Sequence, residues 1–278
     1  MTLNPLVSVK WLAKNLDIPN LVILDASTQK NASKLVPKYL GVQIKGARIF
    51  DMESTFFDEE NPIPNMMPNP KVFETECQKL GIHSNSIIVI YDNLGVYTSP
   101  RARWMFKAMG HQYVTVLNGG LTAWKEAGYA CEEKKEKTYK LGDFKALHQP
   151  NLVRDSKFIL NNLQNKEVLV VDARSNDRFL GESPEPRAGM ASGHIPNAIS
   201  FPYKQVLEEG KMKSKNDLLQ LIEDLKVDNK ELVFTCGSGV TACIILLAFE
   251  LVNDNQKSLY DGSWSEWGQL GKFPVEVG

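Results

Sequence analysis

The sequence predicts an α/β protein made by tandem duplication, each copy a mainly parallel sheet flanked by helices. Three observations point there. The chain has 278 residues, more than one hydrophobic core usually organises, so length alone favours two domains. The run Ile87-Ile88-Val89-Ile90-Tyr91-Asp92-Asn93-Leu94-Gly95-Val96 then lines up with Glu231-Leu232-Val233-Phe234-Thr235-Cys236-Gly237-Ser238-Gly239-Val240. Two more matches follow the same order. Leu21-Val22-Ile23-Leu24-Asp25-Ala26 echoes Val168-Leu169-Val170-Val171-Asp172-Ala173, and Leu117-Asn118-Gly119-Gly120 with Trp124 echoes Tyr260-Asp261-Gly262-Ser263 with Trp267. Such ordered self-similarity marks a repeat. Finally, each copy alternates short apolar runs with segments of helical period, the pattern of a parallel α/β sheet.

In the first copy the apolar runs predict strands over 21–24, 87–91 and 114–117, with helices over 71–80, 100–109 and 121–127. In the second they predict strands over 168–172, 232–235 and 258–260, with helices over 214–225 and 240–251. The last of these is strongly apolar but too short to cross a bilayer, so it reads as a buried helix. Between the copies runs Cys131-Glu132-Glu133-Lys134-Lys135-Glu136-Lys137-Thr138-Tyr139-Lys140, a mixed-charge stretch that reads as a solvated linker. The expected boundaries are a non-catalytic domain over 1–131, a charged linker over 132–143 and a catalytic domain over 144–278.

Composition narrows the functional classes. With 43% hydrophobic and 23% charged residues the chain is globular rather than disordered or collagen-like. Lys plus Arg 32 against Asp plus Glu 33 removes the broad electrostatic argument for nucleic acid or an anionic membrane. The four cysteines, Cys77, Cys131, Cys236 and Cys243, form no C-x-x-C pair, disulfide framework or zinc spacing. Residues 1–14 lack the continuous apolar region of an export signal. A reduced, cytoplasmic protein without metal or cofactor is expected.

The informative segment is Cys236-Gly237-Ser238-Gly239-Val240-Thr241, between a predicted strand and a predicted helix. Turns at the carboxyl edge of a parallel sheet are where such folds place ligands. Two glycines let the backbone point successive N–H groups inward as an anion-binding nest, and the positive end of the following helix adds to that field. A cysteine there is expected to act as a nucleophilic thiolate. A cysteine phosphatase would close a Cys-x5-Arg loop, but Ala242 stands where the arginine would be. His83, His111, His148 and His194 match no local cysteine-protease signature. A loop of backbone donors without a basic side chain suits a small anion formed on the cysteine itself, such as a persulfide.

These residues resemble the rhodanese family, specifically its two-domain 3-mercaptopyruvate sulfurtransferases. The likeness extends to Asp172-Ala173-Arg174, Arg178-Phe179, Glu185-Pro186-Arg187, Gly193-His194-Ile195-Pro196 and Tyr260-Asp261-Gly262-Ser263-Trp264. By that resemblance Cys236 takes sulfur from 3-mercaptopyruvate, releases pyruvate and passes the sulfur to cyanide or a thiol, such as thioredoxin or a small thiol. Arg178 and Arg187, in a polar and proline-broken stretch, are implied to bind the donor's carboxylate and keto oxygen. Gly237, Gly239, Val240 and Thr241 supply the loop, and Ser238 is a candidate to hydrogen-bond the donor. In the first copy Asp92 stands where the nucleophile would be. Some family members are proposed to join the serine to a histidine of the first domain. The family's His-Ile-Pro-Gly-Ala segment reads Gln43-Ile44-Lys45-Gly46-Ala47 here, and glutamine cannot serve as a base at neutral pH, so either backbone amides and water are enough, or Lys45 or another group takes part. A thiosulfate:cyanide sulfurtransferase and a non-catalytic persulfide carrier are the alternative readings.

Overall fold

Strands rich in β-branched and aliphatic residues assemble into two parallel sheets, each the centre of one unit. The computed structural model describes residues 3–278, so Met1 and Thr2 of the expected first domain lie outside the described residues. The first unit contains the chain up to Asp58, Met67–Gln149 and Glu209–Met212. Its five-stranded sheet runs Leu6–Val7, Val114–Leu117, Ile87–Tyr91, Leu21–Asp25, Arg48–Ile49, all parallel. The second unit contains Glu59–Met66, Pro150–Glu208 and Lys213–Gly278. Its sheet runs Val153–Arg154, Lys257–Tyr260, Glu231–Thr235, Val168–Asp172, Ile199–Ser200, again all parallel. The matching order, with Leu21 opposite Ile87 in one unit and Val168 opposite Glu231 in the other, is the duplication in three dimensions.

The central strands are covered on both faces, which is why they read as continuous apolar runs rather than alternating ones. Ile88, Val89 and Ile90 are fully buried, as are Leu232, Val233 and Phe234. Each central strand feeds a buried helix, Ser99–Ala108 in the first unit and Ala242–Val252 in the second. The second of these begins two residues later than expected, because Gly239 takes a left-handed φ of 76° and keeps the chain in a turn. Four short helices escaped the periodicity reading: Val9–Lys14, Ser156–Asn162, Asn176–Leu180 and Ser263–Trp267. At two of them a cap is visible in the residues, since Ser8 accepts from the Trp11 N–H and Asp155 from the Phe158 N–H. No helix among the described residues is long and apolar enough to cross a membrane.

The charged stretch expected as a solvated linker is folded onto the first unit. Cys131–Glu133 pairs antiparallel with Val42–Ile44, and Lys134 Nζ meets the buried Asp25 carboxylate at 2.9 Å. Further on, Gly142 comes so close to Ile82 that a Cβ would lie 1.9 Å from its carbonyl oxygen. Phe144, placed by sequence in the catalytic domain, is fully buried with its ring 5.8 Å from those of Phe73 and Phe106. The first unit therefore extends to Gln149. One large aromatic residue at the end of a charged run outweighs the run, because its burial stabilises far more than exposed charges do.

Phe144→Ala should destabilise the first unit by about 3–5 kcal/mol, the usual cost of emptying a packed aromatic site. Leu147→Ala, at a side chain 67% exposed, should change stability by less than about 1 kcal/mol. Urea unfolding of the two variants checks both, and equal effects would contradict this packing.

Candidate active site

The strand Glu231–Thr235 lies between its two neighbours in the middle of the second sheet, so its exit point is fixed by hydrogen bonds on both sides. Cys236 is the next residue and is 2% exposed. The turn after it is anchored by a second turn, from Tyr260 to Trp267. Cys236 N–H donates to Ser263 Oγ at 3.4 Å, and its carbonyl accepts from Trp264 N–H at 3.0 Å. The Gly237 carbonyl accepts from both the N–H and the hydroxyl of Ser265, at 2.9 and 2.6 Å. The amides of Ser238, Thr241 and Ala242 donate to no acceptor among the described residues. Thr241 and Ala242 open an eleven-residue helix, whose dipole favours negative charge there.

The first copy shows what this turn does when an anion is built in. Asp92, at the position of Cys236, is fully buried. Its carboxylate accepts from the N–H groups of Leu94, Tyr97, Thr98 and Ser99 at 2.9 to 3.0 Å, and from the Ser99 hydroxyl at 2.6 Å. Burial pushes the Asp92 carboxyl up, while hydrogen bonds from Ser99, Tyr97 and Leu94 pull the other way. Leu94, Tyr97 and Thr98 are the counterparts of Ser238, Thr241 and Ala242. The duplicated turn cradles a carboxylate in the first copy and is headed by a thiol in the second.

Both predicted arginines come to the cysteine loop, by different routes. Arg178 is carried on the short helix Asn176–Leu180, which Gly181 ends with a left-handed φ of 80°. Its Nη2 stands 3.4 Å from where a Cβ on Gly237 would be, which keeps that position small. Arg187 lies in the loop beyond and its Nη1 donates to Ser265 Oγ at 2.5 Å, the hydroxyl that itself bonds the Gly237 carbonyl. Sequence reasoning missed the groups that hold them. Glu185, its side chain 4% exposed, takes Arg178 through Nε and Nη2 and also takes Arg174 Nη1 at 2.8 Å. Arg174 is bound in turn by Asp172 and the Gly193 carbonyl and lies 4.1 Å over the Trp264 ring. Glu185 stood in view inside the Glu185-Pro186-Arg187 motif, but its partner set is a property of the fold. Of these guanidinium groups, Arg187 has no carboxylate at ion-pair distance among the described residues. The cluster therefore holds one more positive than negative charge.

Ser238, Gly239, Val240 and Thr241 follow Cys236 in the turn as expected, with Ser238 Oγ accepting from Asn65 Nδ2 at 2.7 Å. Asn65 belongs to the segment Glu59–Met66, which is part of the second unit although it comes from the first half of the sequence. Gln43 does not serve this serine. Its buried amide donates instead to the Ala47 carbonyl and to Glu132, in the first unit. The other cysteines are poorly placed for reaction. Burial pushes the Cys77 thiol well up and raises that of Cys131, and Cys243 donates to the Gly239 carbonyl from a buried helix.

A duplicated parallel α/β domain with a glycine-rich cysteine turn at one sheet edge defines a class of sulfur-handling proteins, and comparison with known proteins agrees. The Rhodanese-like domain family matches over residues 8–127 and again over 156–270. The chain is 34% identical over 274 residues to a 3-mercaptopyruvate sulfurtransferase of Escherichia coli K12, covering 97% of each. It is 38% identical over 272 residues to a thiosulfate sulfurtransferase of Rattus norvegicus, covering 94% of this chain and 91% of that one. The crystal structure of SseA from Escherichia coli superposes with a TM-score of 0.81 at 32% identity, covering 95% of this chain and all of that one. The chain belongs to the rhodanese family, as a two-domain sulfurtransferase.

Asp92→Ala should orphan the amides of Tyr97, Thr98 and Ser99 and destabilise the first unit by about 3 kcal/mol. Cys236→Ala removes no buried polar partner and should cost less than about 1 kcal/mol. Denaturant unfolding separates them, and a neutral Asp92→Ala would contradict the cradle.

Proposed function

We propose that this sulfurtransferase moves the sulfur of 3-mercaptopyruvate through a persulfide on Cys236 to a thiol or cyanide acceptor, releasing pyruvate. The observation that carries the donor assignment is the position of positive charge. Gly237, Ser238, Gly239, Val240 and Thr241 bring no basic side chain into the loop. Arg178, held by Glu185, stands close to Gly237, and Arg187 is linked to the Gly237 carbonyl through Ser265. A compact dianion such as thiosulfate needs cationic side chains next to its sulfur. Mercaptopyruvate carries a single carboxylate two carbons away, and the one surplus guanidinium charge matches it. Relatives named for either donor share similar identity with this chain, so this reading rests on the loop rather than on overall likeness.

In this reading Arg187 binds the donor carboxylate, Arg178 the keto oxygen, and the donor's sulfur is presented to Cys236 Sγ. Fixed guanidinium groups convert the encounter into a near-unimolecular step. Attack by the thiolate forms the S–S bond and breaks the S–C bond, with the electron pair passing to the pyruvate enolate. The persulfide then lies where the amides of Ser238, Thr241 and Ala242 converge, as the Asp92 carboxylate lies among their counterparts. Acceptors are thiols such as thioredoxin or a small thiol.

Steady-state kinetics should give a higher kcat/KM for mercaptopyruvate than for thiosulfate, and the reverse order would overturn the donor assignment. Arg187→Ala should raise KM for mercaptopyruvate by about tenfold or more, with Arg187→Lys restoring only part of it, since an ammonium lacks the bidentate fork. Cys236→Ser should release no pyruvate.

A further inference from the structure

Ser238 Oγ accepts a hydrogen bond from the side-chain amide of Asn65 at 2.7 Å. We infer that Asn65 is a positioning residue for sulfur transfer: by filling one lone pair of Ser238 it turns the serine's own proton toward the bound donor. The inference rests on the sulfurtransferase reading of the Cys236 loop.

A hydroxyl has one proton to give and two lone pairs to receive with. No acceptor among the described residues takes the Ser238 proton, so once Asn65 donates, that proton is left for the ligand. The delivery of Asn65 is built with little freedom. Pro62, Pro64 and Pro68 fix φ at three positions around it, and Asn61 Oδ1 closes a turn by accepting from the Ile63 N–H at 3.0 Å. Asn65 itself has φ 64°, a left-handed conformation that asparagine and aspartate adopt more readily than other side chains. The position thus asks for two properties at once: tolerance of that backbone and an N–H to donate.

The chemistry fits a donor and not a base. Cys236 thiolate and HS–CH2–CO–COO⁻ become Cys236–S–S⁻ and CH3–CO–COO⁻. The S–S bond forms, the C–S bond breaks, and the donor's thiol proton ends on the methyl carbon. No external oxidant or base is needed. Negative charge grows on the enolate oxygen as the C–S bond breaks, and a Ser238 O–H aimed at it stabilises the transition state more than the ground state. An amide does not titrate in the neutral range, so Asn65 orients this proton without exchanging it. The other charged groups facing the loop within the second unit are Arg178, Glu185 and Arg187.

Asn65→Asp keeps the size and the left-handed backbone but replaces the donor with an acceptor that draws the Ser238 proton away. Asn65→Gly keeps the backbone and removes the group. Both should lower kcat with mercaptopyruvate about tenfold while KM shifts less. Relative to wild type, Asn65→Asp should regain activity as pH falls toward about 4, where its carboxyl becomes a donor. In a Ser238→Ala background either substitution should have little further effect. Wild-type kcat in Asn65→Asp, no recovery at low pH, or an undiminished loss in the Ser238→Ala background would each overturn the inference while wild type still releases pyruvate. If wild type turns over neither mercaptopyruvate nor thiosulfate, the functional reading falls, and this inference with it.

Discussion

A buried backbone N–H must find an acceptor, and a strand-to-helix turn concentrates several of them at one point. This constraint shapes both copies of the domain. In the first copy it is met within the chain, by the Asp92 carboxylate and five hydrogen bonds. In the second the same turn is headed by a thiol, and the corresponding amides of Ser238, Thr241 and Ala242 have no acceptor among the described residues; in the proposed function they serve the persulfide anion. The duplication thus gives two turns of one kind, headed by Asp92 in the first copy and by Cys236 in the second.

The loop after Cys236 is held in place by a surrounding shell of hydrogen bonds and ion pairs. The turn from Tyr260 to Trp267 takes up the carbonyls of Cys236 and Gly237, which fixes the direction of the loop amides. Glu185 joins Arg174 to Arg178, and Arg174 is held by Asp172, the Gly193 carbonyl and the Trp264 ring. Removing one member of such a buried ionic group is far costlier than losing an exposed pair like Lys38 and Glu126. The arginines are therefore as much part of the fold as of the site. Their long, flexible side chains are ordered before any ligand arrives, and binding then costs less conformational entropy.

Much of this was legible in the residues. The duplication showed because both copies kept the strand, the turn glycine at Gly95 or Gly239, and the tryptophan at Trp124 or Trp267. The candidate nucleophile stands out because a glycine-flanked cysteine at a strand end has a local physical meaning. What stayed hidden was long-range or tertiary. Asn65 lies far from Ser238 in sequence, and nothing local in a proline-flanked asparagine says which hydroxyl it will meet. The charged run over 132–143 looked like a linker because composition records exposure on average, whereas the burial of Phe144 and the pairing of Cys131–Glu133 depend on partners elsewhere. For the same reason, the likeness of the segment around Gln43 does not say where its side chain bonds, and Gln43 holds the Ala47 carbonyl and Glu132 in the first unit.

The account turns on the claim that the second cradle holds a sulfur anion on Cys236. Intact-mass measurement after treating the protein with mercaptopyruvate, in the absence of any acceptor, tests it most directly. Wild type should gain the mass of one sulfur atom, located by peptide mapping to Cys236, and lose it on adding a thiol. A protein that releases pyruvate while its mass stays unchanged, or that holds the sulfur on Cys77, Cys131 or Cys243, would contradict the account.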